Sequence, residues 1–296
     1  MTVTNPSLCW WVWPVILFSA TFIIGCIAPL SGLGGGVLFV PLATAFTPFN
    51  IDFVRGTGLI LALTSALFSA PRFIKVGMAN LRIMTAIASI SAIASILGAV
   101  MGLWITSALP HGQSYVLVAL GAVLFLIFAV MITSKKAEFP PDGKVDSFTA
   151  KLGLVGNWFE PNLDKIVEYK ARRLPLGILC FSAAGFIGGM FGMGAGWVGV
   201  PVLNLVMGLP LKAAAATSMT IITVNSAAAA WPYIANGAML TLIIVPSVVG
   251  ISIGAALGAR LALRVKPAFV KYLVIVMMLF CGLINIYKGL HGLAIL

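Results

Sequence analysis

Two glycine stretches carry the residues best placed to do chemistry: Gly32-Leu33-Gly34-Gly35-Gly36 and Gly192-Met193-Gly194-Ala195-Gly196. Val40-Pro41 follows the first and Val200-Pro201 the second. The two align without a gap at an offset of 160 residues, Gly32 on Gly192 through Pro41 on Pro201. Such a stretch offers backbone chemistry. Glycine interrupts a helix, and where the helix restarts its first N–H groups have no intrahelical partner. Those groups and the helix dipole attract an anion, and the missing Cβ lets it approach closely. The candidate ligand-binding backbone is therefore Gly34, Gly35 and Gly36 with Gly194, Ala195 and Gly196. Inside a membrane a broken helix is tolerated only where protein or a water-filled cavity surrounds it. Two breaks at matching positions point to a transport site. Close helix packing through small residues is the competing reading.

Polar side chains follow each stretch. The first half has Thr57 between Gly56 and Gly58, then Thr64, Ser65 and Ser69. The second has Thr217-Ser218, then Thr220, Thr223, Asn225 and Ser226. Thr57 and Thr217 could cap helix N-termini. Thr57, Ser65, Thr217, Ser218 and Asn225 complete the candidate substrate-binding set, and Asn225, an amide in an apolar run, is its strongest member. Neutral donors suit a small oxyanion that must bind and then leave; ordinary interhelical hydrogen bonding is their alternative role. Asp52 and Arg55 lie between apolar runs, with Lys212 at the position equivalent to Asp52. Arg55 could contact an anion, but a solvated or lipid-facing loop is the expected place for it.

Catalysis finds little footing. Of the seven acids, six lie between 135 and 173, and the other is Asp52. Paired carboxylates for acid–base work have nowhere to sit in the apolar parts, and His-Glu-x-x-His does not occur. Gly189, Gly192 and Gly194 mimic part of a nucleotide fingerprint, which needs a soluble strand–turn–helix context. Cys9, Cys26, Cys180 and Cys281 show no metal or redox spacing. No enzyme activity, metal or cofactor is expected. The cations are spread over short loops, so nucleic acid is not an expected partner.

The elements that must position these residues are membrane helices. Of 296 residues, 61% are hydrophobic and 8% charged, and mean hydropathy is +1.12, more apolar surface than a soluble domain hides. The expected class is an all-α polytopic membrane protein in three parts: an N-terminal membrane repeat at 1–134, a polar connector at 135–173 and a C-terminal membrane repeat at 174–296. Gly25 matches Gly185, Gly77 matches Gly237, and Leu97-Gly98-Ala99 matches Leu257-Gly258-Ala259, all in the register of the glycine stretches. Each half holds about five apolar runs. The second and third look short, either half-helices of a re-entrant hairpin or short tilted spans, so five spans per half and three spans plus a hairpin both stand. Trp10, Trp11 and Trp13 resemble an interfacial anchor.

Loop charges relate the halves. Arg72, Lys75 and Arg82 flank the loop after the third run, whereas its counterpart near 231–242 has no Lys or Arg. Between the fourth and fifth runs the bias reverses, with Arg264, Lys266 and Lys271 in the second half. An inverted repeat requires such a swap. The positive-inside rule puts the connector on the cytoplasmic side and both termini outside. The two glycine stretches then enter from opposite sides and build one site.

The glycine stretches with their downstream prolines, and the Thr217-Ser218 segment of the second half, resemble the TauE/SafE family of sulfite and organosulfonate exporters. The resemblance covers both membrane halves and not the connector. It implies a multi-pass plasma-membrane carrier of small sulfur-containing anions. Ala195 in place of Gly35 suggests unequal half-sites. The leading expectation is a secondary transporter of a small anion working by alternating access, with that anion and the lipid bilayer as partners and a homodimer compatible with the fold. The coupling ion is not legible. An anion channel of the same architecture and a non-transporting scaffold that binds through the connector are the alternatives.

Overall fold

The computed structural model describes residues 12–133, 146–160, 165–262 and 268–294. Eight of its helices are long and apolar enough to cross a membrane, and the chain is an all-α polytopic membrane protein. The first half consists of α1 (Val12–Ser31), α2 (Gly35–Phe46), α3 (Ile51–Lys75), α4 (Leu81–Ala108) and α5 (Gly112–Thr133). A short α6 (Ser147–Lys151) and a hairpin of β1 (Val155–Glu160) and β2 (Lys165–Lys170) follow. The second half is α7 (Leu174–Phe191), α8 (Gly196–Pro201) continued by a π-helical turn (Val202–Val206), α9 (Leu211–Ala235), α10 (Thr241–Ala262) and α11 (Ala268–Ala294).

The third apolar run of each half is not short. It is a 25-residue helix in both halves, α3 and α9, about 37 Å long at 1.5 Å per residue. Asp52 and Arg55 at the start of α3, and the hydroxyls spread along both helices, disguise this length. Mean hydropathy is lowest in these two, 1.5 and 1.2, because they do not face lipid. Each buries two-thirds or more of its apolar stretch inside the protein, and the other six spans less than half. α3 and α9 are the centre of the bundle.

The helix pairing is unchanged when the halves are exchanged. α1 packs along α10 and its counterpart α7 along α4; α3 packs on α9, and α5 on α11. Repeated glycines make the closest approaches. A Cβ at Gly25 would meet the Ile251 carbonyl oxygen at 2.7 Å, and one at its counterpart Gly185 would meet that of Ser91 at 2.8 Å. Close packing is thus the role of Gly25 and Gly185, whereas Gly77 and Gly237 turn the chain at φ of 74° and 66° with room to spare. α3 and α9 run antiparallel. Arg55, near the start of α3, lies 5.6 Å from the Tyr233 ring near the end of α9. Asn80, just past α3, donates its backbone N–H to Thr217 Oγ1 near the start of α9.

α1 and α2 form a hairpin. Trp13, in the first turn of α1, meets Phe49 beyond the end of α2 with tilted rings 5.3 Å apart, so the chain returns to the side from which it started. The hairpin is therefore made by the first and second runs rather than by the second and third. Trp10, Trp11, Arg264 and Lys266 fall outside the described residues.

The connector folds in part. Trp158 and Tyr169 of the β-hairpin are buried and meet edge to face at 6.0 Å. Asn80 donates through Nδ2 to the Val155 carbonyl and the Tyr169 hydroxyl, seating the hairpin against the α3–α4 loop. Burial pushes the Tyr169 phenol upward, partly countered by the Asn80 hydrogen bond. Asp146 caps α6 through Thr149 and accepts the Arg173 N–H at 2.6 Å.

Candidate functional site

The sequence repeat is also a conformational repeat. Gly32 and Gly192 have φ of 68° and 75°, and Gly34 and Gly194 have 79° and 71°. L-residues with a Cβ avoid this left-handed region, so the same two residues of each stretch turn the chain out of one helix and into the next. The breaks meet at mid-height of α3 and α9. A Cβ at Gly196 would collide with the Leu33 carbonyl oxygen, and one at Gly36 with that of Gly58. Ile222 of α9 lies between the breaks, 3.3 Å from the position a Cβ would take at Gly34 and 4.0 Å from that at Gly194.

Side chains of α3 and α9 tie the first break. The Gly35 N–H donates to Ser65 Oγ at 2.9 Å, so a side chain from α3 serves the first turn of α2. Ser65 Oγ donates in turn to the Ala62 carbonyl. Ser218 Oγ donates to the Gly32 carbonyl at 2.9 Å, closing the end of α1 from α9. Ile251 of α10 packs against Gly35. Ser65 and Ser218 are thus engaged in holding the break together.

The second break differs. Position 225, equivalent to Ser65, is Asn; position 226, equivalent to Ala66, is Ser; and Ser91 stands where the other half has Ile251. Ser91 Oγ lies 3.0 Å from Asn225 Oδ1 and 2.9 Å from the Ile87 carbonyl, one proton between two acceptors. Asn225 Nδ2 and Ser226 Oγ are buried with no hydrogen-bond partner among the described residues. Ser226 Oγ faces Gly194, 2.8 Å from the position a Cβ would take there. Trp197 Nε1 on α8, next to Gly196, is unpartnered in the same sense, and so is Ser247 Oγ on α10, one turn from Ile251 on the side of the first break. A buried donor left unpaired costs about 1–3 kcal/mol, so Asn225 and Ser226 are the candidate ligand contacts of this break.

Thr57 and Thr217 do not cap helices. Both sit in the second turn of their helices, because α3 and α9 begin at Ile51 and Leu211, before the apolar runs do. The α3 cap is Asn50, whose side chain accepts the Asp52 N–H. Thr217 Oγ1 is tied to Asn80 at the connector end, away from the breaks, and Thr57 Oγ1 has no partner among the described residues.

Arg55 is not in a loop. It lies in the second turn of α3 with its side chain fully buried, in a pocket of carbonyls and an aromatic ring that the local sequence does not reveal. It pairs with Asp52 and donates to the Met190 carbonyl at 2.9 Å and to the Gly102 carbonyl at 3.3 Å. The Asp52-x-x-Arg55 spacing, one helical turn, was the available signal. Trp197 and Ser247 had none, since their equivalents in the first half are Val37 and Ile87.

Comparison with known proteins agrees with this architecture. The family model described as sulfite exporter TauE/SafE matches residues 17–284. The chain is 28% identical over 288 residues to the probable membrane transporter protein YunE of Bacillus subtilis, covering 94% of this chain and 99% of that protein. It is 26% identical over 216 residues to the probable membrane transporter protein MJ0441 of Methanocaldococcus jannaschii, 71% and 68% of the two chains. A second Bacillus subtilis relative, the probable membrane transporter protein YdhB, is 23% identical over 273 residues, 92% of this chain and all of that protein. No solved structure matches. With nearly its whole length matched, the chain belongs to the sulfite exporter TauE/SafE family.

Proposed function

We propose that this protein is a secondary transporter of a small oxyanion, with sulfite or an organosulfonate as the substrate class, working by alternating access in the plasma membrane. The observation that carries the reading is the set of unpartnered donors, Asn225 Nδ2 and Ser226 Oγ, beside the second break at the centre of the bundle. They are neutral, so a bound anion is held by hydrogen bonds and the local dipole and can leave again. Family membership and the transporter names of the relatives support a carrier rather than an enzyme. The membrane halves divide near 134 and 174 and are inverted with respect to the bilayer; the antiparallel course of α3 and α9 and the swapped loop charges support this. The connector then faces the cytoplasm and both termini face outside. The substrate site is built on Gly194, Ala195 and Gly196 with Asn225 and Ser226; Gly34, Gly35 and Gly36, braced by Ser65 and Ser218, frame it from the first break, and Thr57 and Thr217 line the approaches.

The test is flux of sulfite, sulfate, thiosulfate, sulfoacetate and taurine into proteoliposomes of the purified chain, with and without a pH gradient. Saturable counterflow of sulfite or a sulfonate is the expected result. Conductance without counterflow would identify a channel, and no flux of any of the five would end the reading. Cysteine accessibility at the α3–α4 and α9–α10 loops tests the inversion, which fails if both loops label from one side.

A further inference from the structure

A cleft of about 470 Å³ opens at the end of the bundle where α3 begins and α4 and α9 finish. Asn50, Asp52, Trp104, Thr106, Ser107 and Asn236 are among its lining residues. Arg55 lies directly behind Asp52 and Thr106. Its Nη2 is bonded to the Asp52 carboxylate and lies 3.3 Å from Thr106 Oγ1. Its Nη1 donates to the Met190 carbonyl, two residues before the second glycine stretch. The Arg55 backbone touches Gly192 so closely that no Cβ fits there. Arg55 therefore stands between the cleft and the second break, fully buried, with Nε lacking a partner among the described residues.

This arrangement has no counterpart in the other half. The positions equivalent to Asp52, Arg55 and Tyr233 are Lys212, Ala215 and Phe73. The repeated architecture therefore closes its other end without a buried charge pair. A buried pair is also a poor source of stability, since apolar replacements are often as good, and an ionisable side chain within a spanning helix is by default a functional group. Asp52 is the single acid outside 135–173, and its side chain is 24% exposed where that of Arg55 is 0%. The carboxylate can move into the cleft while the guanidinium stays in place.

We propose that this cleft is the anion vestibule of the transport path and that Arg55 is its receiving cation, held at rest by Asp52 and released to an entering oxyanion that takes the carboxylate's place. The guanidinium donates through Nη2 to an oxygen of a sulfite or sulfonate as it does to the Asp52 carboxylate. Asp52 keeps the buried cation paired when no anion is present and competes with the anion when one arrives. The inference rests on the transport reading and adds to it a charge-selective step outside the neutral central site.

The experiment uses the full chain in proteoliposomes, with sulfite as probe, and thermal unfolding in detergent with and without sulfite. Asp52→Asn removes the competitor and is expected to lower the half-saturation concentration about tenfold, because less of the protein is held in the self-paired state. Arg55→Gln, and the charge-neutral double variant Asp52→Asn/Arg55→Gln, raise it roughly 10- to 100-fold, the range for one charge-assisted hydrogen bond. Arg55→Lys falls between. A folded double variant with wild-type half-saturation would make Arg55 a structural tie and overturn the proposal. If the double variant does not fold, an unchanged half-saturation in Asp52→Asn overturns it instead. Failure of the transport reading is seen separately, as absence of flux in the wild type.

Discussion

The two glycine breaks share a sequence pattern and a backbone conformation and differ in what their neighbours leave undone. Around the first, Ser65 bonds the Gly35 N–H, Ser218 bonds the Gly32 carbonyl, and Ile251 fills the space beside Gly35. Around the second, Asn225 and Ser226 each keep a buried donor without a partner, and Ser91 takes the place of the isoleucine. On two equal frames, three side-chain differences go with hydrogen-bonded closure at the first break and unpartnered buried donors at the second. Ala195 against Gly35 belongs to the same difference, since a Cβ at Gly35 would collide with Ile251, whose counterpart at the second break is Ser91. Ala195 has φ of −82°, which any residue adopts.

The strongest way to break this comparison is to fill the second break. Gly194→Leu places a side chain at φ 71° and against Ser226 Oγ, and should reduce sulfite flux on the order of 100-fold while the protein still inserts, because a displaced ligand group costs that much. Gly34→Leu should do the same through Ile222. Normal flux in both variants would separate the breaks from transport altogether.

A sharper test converts the second half into the first. Asn225→Ser with Ser226→Ala is expected to raise the half-saturation for sulfite roughly 10-fold, the effect of about one hydrogen bond to an anion, without lowering the thermal midpoint, because both unpartnered groups are gone. The reciprocal Ser65→Ala should cost about 1 kcal/mol of stability and leave half-saturation unchanged. Equal effects of the two on half-saturation would mean that the half-sites are equivalent. Ile222, fully buried between the breaks, belongs to both. Ile222→Ala should destabilise by about 2 kcal/mol or more through its cavity, read as a fall in thermal midpoint.

The smallest expected effect lies outside the membrane. The Thr149 hydroxyl, chiefly, and the N–H groups of Thr149 and Arg173 hold the Asp146 carboxyl below its ordinary range. Its stabilising contribution is therefore present above the usual carboxylate pKa and is lost as pH falls through the lowered value. Acidification should increase protease cleavage near 146–151 in the wild type, and Asp146→Asn should flatten that dependence. Cleavage with the same pH profile in both would remove Asp146 from the junction.

Much of this was legible in the sequence. Hydropathy and segregated charge gave the membrane class, since lipid admits few alternatives to helices. The gapless match of Gly32 and Gly34 to Gly192 and Gly194 located both breaks, because the left-handed conformation is a local demand that glycine meets. The length of α3 and α9 was hidden for a physical reason. A helix surrounded by other helices need not be apolar, so their polar positions read as interruptions. Asn225 was identifiable as an amide in an apolar run, but whether it was satisfied was not.

By itself the sequence determined a polytopic helical protein of two similar halves, each broken at a defined glycine pair. Those features depend on residue hydropathy and local backbone preference, which the chain carries position by position. The tertiary structure alone decided which polar groups are spent on the scaffold and which stay without a partner among the described residues. Ser91 meets Asn225 across 134 residues and Arg55 meets Met190 across 135. The partner of a buried donor is set by which helices pack together, and no local pattern encodes it.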